Sequence, residues 1–259
     1  MLKNIKATAV LNETVAEGIF RLVLHCPQAD LWHFVPGQFA HVRIPEHEEL
    51  LLGRPLSINA VNIKEKTVTL ICRVSGKGTL ALSKTQKGTE FSAILPAGRG
   101  FNMQGKYKKI FLVGGGVGIA PLPPVVQKWP EKQYEAFLGY RGRNVSYAVD
   151  EFSGCEAVHI ASDDGTIGER GTVTKLLEKR LSQVLPDVVL ACGPAPMLRE
   201  LKRIVEAAGL SCQVSVEQRM CCGFGACAAC VCGVNTPDGR DYKKVCVEGP
   251  VFDIREVIL

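Results

Sequence analysis

Six of the chain's eleven cysteines fall within the 26 residues from Cys221 to Cys246. Read from Cys222, they run C-x4-C-x2-C through Cys227 and Cys230, and fifteen residues separate Cys230 from Cys246. This is the plant-type spacing of a 2Fe–2S cluster. Three thiolates in one short loop wrap one edge of the cluster, and a fourth from a separate segment closes the far side. Cys222, Cys227, Cys230 and Cys246 are therefore the expected ligands. Gly223 and Gly225 permit positive φ and let backbone amides approach sulfur, while Ala226, Ala228 and Ala229 keep the loop slim. A structural zinc site also takes four thiolates, usually as symmetric knuckles. A disulfide framework fits poorly, because the count is odd and the spacing tight. Cys221 is the competing first ligand, and Cys232 reads as a bystander.

Two other groups of residues carry chemistry. In Gly53-Arg54-Pro55-Leu56-Ser57-Ile58, Arg54 offers a planar guanidinium suited to a pyrophosphate. Pro55 fixes φ, and Ser57 offers a hydroxyl suited to a flavin ring nitrogen. In Ile71-Cys72-Arg73-Val74-Ser75-Gly76-Lys77-Gly78-Thr79, Gly76 and Gly78 allow the backbone close to a phosphate. Thr79 is expected to open a helix whose amides favour an anion. Either segment alone also reads as a strand end followed by a turn; together they point to a cofactor.

Further along, Lys109 to Val113 is a buried strand followed by Gly114-Gly115-Gly116-Val117-Gly118-Ile119-Ala120-Pro121. A strand, a glycine-rich turn and a helix start together cradle a pyrophosphate. The pattern departs from G-x-G-x-x-G, so Gly114, Gly115, Gly116 and Gly118 imply a dinucleotide fold other than that of the standard dehydrogenases. Cys192-Gly193-Pro194 ends another strand, where Cys192 is placed to touch a nicotinamide ring; a small buried thiol is the alternative. Asp163 and Asp164, before Gly165, read as a turn. Arg141 and Arg143 stand where an NAD enzyme often carries an acid, which leaves NADP open beside NAD.

The elements that must position these groups divide the chain in three, giving an α+β multidomain protein. Residues 1–102 read as antiparallel β, with strands at Lys6–Val10, Ile19–His25, Gln38–Ile44, Val68–Val74 and Glu90–Leu95 punctuated by turn residues. This suits a small β-barrel. Pro36-Gly37-Gln38-Phe39 reads as a turn into a core strand. Residues 103–215 alternate strands (Lys109–Val113, Ala136–Tyr140, Ala157–Ala161, Val188–Ala191) with helices (a run reaching Trp129, Thr172–Val184, Met197–Ala208), as in a doubly wound parallel α/β sheet. Residues 216–259 form a small cluster module, with Val234–Lys244 as an exposed hairpin.

The 259 residues, 46% hydrophobic and 22% charged, describe an ordinary globular protein. There is no apolar run long enough for a membrane span. Met1-Leu2-Lys3-Asn4-Ile5-Lys6 lacks the features of a signal peptide, and abundant cysteine without a signal points to the cytoplasm. The net charge of +5 is dispersed, without a basic stripe for nucleic acid. Five scattered histidines suggest no general base.

Arg54-Pro55-Leu56-Ser57, Gly78-Thr79, the Gly114–Pro121 run and Cys192-Gly193-Pro194 together resemble the ferredoxin–NADP reductase superfamily. Ser162-Asp163-Asp164-Gly165-Thr166 through Gly171, Glu217–Gly223 and Val245–Phe252 are similar to the electron-transfer subunits of dihydroorotate dehydrogenase B. The resemblance covers nearly the whole chain in the same order. It implies FAD on the barrel, NAD on the α/β domain and one 2Fe–2S cluster. It also implies a partner subunit that holds FMN and oxidises dihydroorotate in pyrimidine biosynthesis, in a heterotetramer of two of each chain. By the same resemblance the FAD contacts are Arg54, Pro55, Leu56, Ser57, Ile71, Cys72, Arg73, Gly78 and Thr79. Two features depart from the pattern: Cys221 replaces a small residue, and Arg141 and Arg143 weaken the transfer of NAD preference. The alternatives are a flavin and iron–sulfur subunit of an NADPH–ferredoxin oxidoreductase or a sulfhydrogenase and, from a different class, a zinc-stapled interaction module.

Overall fold

The computed structural model describes residues 4–44, 50–103 and 107–259; Met1–Lys3 of the N-terminal reading lie outside them. Six strands close an antiparallel barrel: β1 (Asn4–Ala16), β2 (Ile19–His25), β3 (Phe39–Arg43), β4 (Arg54–Asn62), β5 (Thr67–Arg73) and β6 (Glu90–Ala97), in the order β1-β2-β5-β4-β3-β6. Alternate side chains fill it, including Ala7 and Ala9, Phe20, Leu22 and Leu24, Val68 and Leu70, and Phe91, Ala93 and Leu95. This is the period of two that a strand imposes. Gln38 holds the turn into β3, accepting from the Val35 amide at 2.8 Å and donating to the Gly98 carbonyl at 2.8 Å.

β4 was read as a chemical motif; it is also a strand. Its first residues, Arg54 to Ser57, pair only with β3, and pairing with β5 begins at Ile58. One edge of β4 is therefore open where Pro55 sits. Proline lacks an N–H and is tolerated at such an edge. The same open edge leaves the motif's backbone available to a ligand.

After α1 (Lys77–Ser83), the chain builds a second sheet from β7 (Lys109–Gly115), β8 (Gln133–Tyr140), β9 (Ala157–Ser162), β10 (Glu169–Arg170), β11 (Val188–Cys192) and β12 (Cys212–Ser215). A hairpin of β13 (Val231–Thr236) and β14 (Gly239–Lys244) follows, and then β15 (Val251–Asp253). The sheet order is β10-β9-β8-β7-β11-β12-β15, parallel except for β15, which runs antiparallel to β12. The C-terminal stretch thus adds a strand to the sheet of the preceding one.

Side chains alternate across this sheet. Ile110, Leu112, Val188 and Leu190 face one core, which includes Val125 and Val126 of α2 (Pro123–Lys128) and the barrel's Ile19 and Ile71. Phe111, Val113, Val189 and Ala191 face the other, with α3 (Val173–Leu181), α4 (Ala195–Ala207) and the buried Cys230, Cys246 and Val245. The short strands β10, β12 and β15 were not expected, since each is too brief to show a pattern of its own. Among the described residues no helix is long and apolar enough to cross a membrane.

Candidate functional site

In the parallel sheet, β7 leads outward through β8 and β9, while its other neighbour, β11, leads to β12. The order therefore reverses between β7 and β11, and open α/β sheets bind ligands outside the C-terminal strand ends at such a point. Gly114 and Gly115 end β7 and Gly116 to Gly118 follow it, while Cys192 ends β11 and Gly193-Pro194 lead into α4. The two tips touch: a Cβ on Gly118 would lie 2.6 Å from the Cys192 carbonyl oxygen. Gly114 and Gly115 are buried strand residues, where a Cβ would meet Ile119 at 2.6 Å and Met197 Sδ at 2.5 Å. Gly116 alone of the four has a left-handed φ, +54°. Three glycines thus serve close packing, and Gly116 with Val117 turns the chain. Tyr147 Oη holds that turn by donating to the Val117 carbonyl at 3.1 Å.

A cavity of about 920 Å³ opens beside these tips. Arg54, Pro55, Leu56 and Ser57 line it from β4, with Ile71, Cys72 and Arg73 from the end of β5, then Thr79, Val117 and Cys192. Gly78 acts indirectly. It is buried against the Arg54 guanidinium, so any side chain there would displace Arg54. The Thr79 hydroxyl accepts from the Ser75 and Gly76 amides at 2.8 and 3.1 Å. α1 therefore starts at Lys77, two residues before Thr79, which buttresses the turn. Burial pushes the Cys192 thiol up to about 12. It is a neutral group at the cavity wall.

The segment from Ser215 to Met220 forms another wall of the cavity and runs directly into the cysteine loop. Glu217, Gln218 and Arg219 were not singled out as site residues in the sequence, where they entered only as part of the Glu217–Gly223 stretch that carries the family resemblance. Their place in the wall follows from β12 ending beside the β11 tip.

The cysteine loop gathers its thiols closely: Cys227 lies beside both Cys221 and Cys222, and Cys230 beside Cys246, with Cys222 and Cys246 close enough to interact. The Cys246 amide donates to Cys230 Sγ at 3.4 Å. Among the described residues no three such groups close on a single ion. Four thiols gathered from two segments would suit a 2Fe–2S cluster, which takes four thiolates. Gly223 and Gly225 take φ of +77° and +94°. Burial alone would raise the Cys222 pKa, but the amides of Cys227, Phe224 and Ala226 turned toward its sulfur outweigh that and lower it to about 6. Cys221 is exposed, and desolvation and the neighbouring Cys227 raise its pKa. Burial and Cys230 push Cys246 up to about 12, so its proton must leave when a metal binds. The hairpin of β13 and β14 follows directly on this loop, and its Val234 is buried.

His41 joins the two regions. It lies in β3 opposite Pro55, with only 3% of its surface exposed. Its ring packs against Gly53, just before Arg54, and against Gly223, just after Cys222. Burial, Arg43 and Arg54 lower its pKa, against the Met220 backbone, so the ring is neutral.

Comparison with known proteins agrees with this arrangement. Residues 217–258 match the iron–sulfur cluster binding domain of dihydroorotate dehydrogenase B. The chain is 38% identical over 252 residues to the electron transfer subunit of dihydroorotate dehydrogenase B (NAD(+)) from Shouchella clausii (strain KSM-K16), covering 95% of this chain and 92% of that one. With the corresponding protein of Geobacillus sp. (strain WCH70) it is 35% identical, covering 100% of both. The chain belongs to the family of dihydroorotate dehydrogenase B electron-transfer subunits. A solved NADH-dependent reduced ferredoxin–NADP oxidoreductase has a chain of similar structure, with a TM-score of 0.87, 29% identity and coverage of 97% of this chain and 89% of that one. The Plasmodium falciparum ferredoxin–NADP+ reductase, 12% identical with a TM-score of 0.64 over 82% of this chain and 96% of that one, shares the fold.

Within that family frame, most of the expected residues converge. Arg54 to Ser57, Ile71 to Arg73, Thr79 and Cys192 share the cavity, and Cys246 comes from beyond β14 to lie beside Cys222 and Cys230 of the loop. Gly114, Gly115, Gly118, Gly193 and Pro194 stand behind the cavity wall as packing around the strand tips. Asp164 makes the expected turn, accepting from the Thr166 amide at 2.9 Å. Arg143 is drawn onto the same turn, its Nε donating to the Thr166 carbonyl at 3.1 Å.

Proposed function

We propose that this chain is the electron-transfer subunit of a dihydroorotate dehydrogenase B. It would carry electrons between NAD and a partner subunit that holds FMN and oxidises dihydroorotate. The observation that carries the reading is the continuity of the site. The cavity lined by Arg54–Ser57 reaches the β11 tip at Cys192, and its Ser215–Met220 wall becomes the loop that brings Cys222, Cys227 and Cys230 close to Cys246. When bound, FAD exchanges a hydride with the nicotinamide and single electrons with a 2Fe–2S cluster, which is why it belongs between them.

The residues take distinct parts. Arg54 neutralises the flavin pyrophosphate, the open edge of β4 at Pro55–Ser57 offers backbone and hydroxyl to the ring, and Ile71–Arg73 and Thr79 close the cavity. Gly78 keeps room for Arg54. The β7 and β11 tips, Gly114–Gly118 and Cys192–Pro194, receive the dinucleotide. Cys222, Cys227, Cys230 and Cys246 hold the cluster, with the Cys222 amide nest selecting it over Cys221. These parts correspond to a flavin barrel at 1–102, a nucleotide domain at 103–215 and a cluster module at 216–259, the last stitched to the second by β15. Around Cys227, the exposed Phe224, Ala226, Ala228, Ala229 and Val231 form an uncharged face. We assign it to the catalytic subunit, in a cytoplasmic heterotetramer of two of each chain.

A second reading keeps the cofactors and changes the assembly: a subunit of an NADPH–ferredoxin oxidoreductase. The structural likeness at a TM-score of 0.87 favours it, as does the arginine pair after β8. One experiment separates the two. The chain is co-expressed anaerobically with an FMN-binding dihydroorotate dehydrogenase subunit, dihydroorotate is added, and reduction of NAD and of NADP is followed. NADH formation that requires both chains is the expected result. Failure of turnover in a complex loaded with FAD and cluster, together with strong NADPH–dye activity, would favour the second reading. Dihydroorotate oxidation by this chain alone would refute the division of labour.

A further inference from the structure

We propose that His41 is a positioning residue for electron transfer, a wedge that sets the span between the flavin-binding edge of β4 and the cluster loop. The inference rests on the functional reading above and adds a residue to it. His41 is in β3, directly opposite Pro55. A Cβ on Gly53 would lie 2.7 Å from His41 Nδ1 and 2.8 Å from Nε2. On the other side, a Cβ on Gly223 would lie 2.6 Å from Cγ and 2.8 Å from Nδ1. Two backbones therefore approach one imidazole more closely than any residue except glycine allows. One leads into Arg54, and the other leaves Cys222. The ring also engages the Met220 backbone, two residues before Cys222.

Packing alone does not account for the choice of histidine. Its Nε2 is buried with no partner among the described residues. Burying an unpaired polar nitrogen is unfavourable, and a hydrocarbon side chain would avoid that cost. Imidazole supplies what a hydrocarbon lacks, a ring nitrogen that engages the backbone at Met220, while its flat ring fills the gap between the two glycines. Electron transfer weakens steeply with distance, so a residue that sets the spacing of two cofactor-holding segments governs the rate without touching either cofactor. Supporting groups around metal ligands typically change affinity or activity by about 10-fold to 100-fold when replaced.

The test uses the full chain, as wild type and as His41→Ala, His41→Phe and Gly223→Ala. FAD, iron and sulfide are first measured per chain. Each protein is then mixed anaerobically with NADH, and the flavin and cluster absorbances are followed in the same trace. In loaded His41→Ala, cluster reduction is expected to slow by about 10-fold to 100-fold relative to flavin reduction. The electron paramagnetic resonance line shape of its reduced cluster should also change. His41→Phe, which keeps a ring and loses the engagement with Met220, should fall between His41→Ala and wild type, and Gly223→Ala should shift the same ratio. An unchanged ratio and line shape in loaded His41→Ala overturn the proposal. So does loss of both cofactors from His41→Ala and His41→Phe alike, which would make the role purely structural. A wild-type chain that binds neither FAD nor cluster would instead overturn the functional reading itself.

Discussion

The cysteine loop at 221–232 and the turn at Gly114–Gly118 are both rich in glycine, yet they use it for opposite purposes. In the first, Gly223 and Gly225 adopt positive φ and swing amides toward Cys222 sulfur. The chemistry lies in side chains, and the glycines aim the backbone at them. In the second, Gly114, Gly115 and Gly118 exist because Ile119, Met197 and the Cys192 backbone leave no room for a Cβ. Only Gly116 takes a left-handed φ there, and its Cβ position is open. A glycine-rich run thus says that the backbone is under some constraint. The identity of the constraint, conformation or crowding, depends on what lies across from it.

The sharpest way to break this contrast is at the thiols. Cys246→Ser should abolish the cluster's visible absorption and its paramagnetic signal while leaving the flavin bound, since the buried Cys230–Cys246 pair loses half its donors. Cys221→Ser should keep both. Loss of the cluster from Cys221→Ser would mean that the amide nest has been read on the wrong residue.

The nest also sets a pH dependence. A thiol reacts as its thiolate, and Cys222, lowered to about 6, is mostly deprotonated above that pH. In the cluster-free chain, alkylation of Cys222 by iodoacetamide should rise as pH passes upward through about 6 and level off beyond it. Cys246, at about 12, should stay protonated and nearly inert over the same range. Peptide mass spectrometry after brief labelling measures both. Equal labelling of the two at neutral pH would remove the electrostatic half of the comparison.

Smaller effects are expected at the turn. Gly118→Ala forces a Cβ to within 2.6 Å of the Cys192 carbonyl, an overpacking that should cost about 1–3 kcal/mol and lower the melting temperature. Gly116→Ala meets no atom within 4 Å and pays only for its φ of +54°, about 1 kcal/mol. If Gly116→Ala proves the more damaging to stability, conformation rules this turn as it rules the cysteine loop.

Legibility followed the same division. The thiol spacing, the Arg54–Ser57 motif and the alternating strands of the barrel and sheet were readable, because each is a local pattern of residue types. β4 was not in the expected strand list, since Arg54–Ser57 stood out for its chemistry; β3 partners that segment on one side, and β5 joins from Ile58 onward. Thr79 was expected to begin a helix, and its hydroxyl instead accepts from amides behind it. Glu217 entered only as part of the Glu217–Gly223 resemblance, with no role of its own, and His41 carried no signal, since it has no neighbour in sequence with which it acts. His41 is 12 residues from Gly53 and 182 from Gly223 along the chain, yet it touches both.

The sequence by itself determined which atoms are available. Four thiols at plant-type spacing, a guanidinium and hydroxyl on one short segment, and strands with period-two burial are written in residue type and interval, and local geometry suffices to read them. The tertiary structure decided which of those atoms meet. It brought the β7 and β11 tips together at the point where the sheet reverses. It left one edge of β4 unpaired, joined the C-terminal stretch to the sheet through β15, and set His41 between the Arg54–Ser57 segment and the cysteine loop. These are contacts between segments far apart in the chain. They depend on sheet order and packing, which no short window of sequence contains.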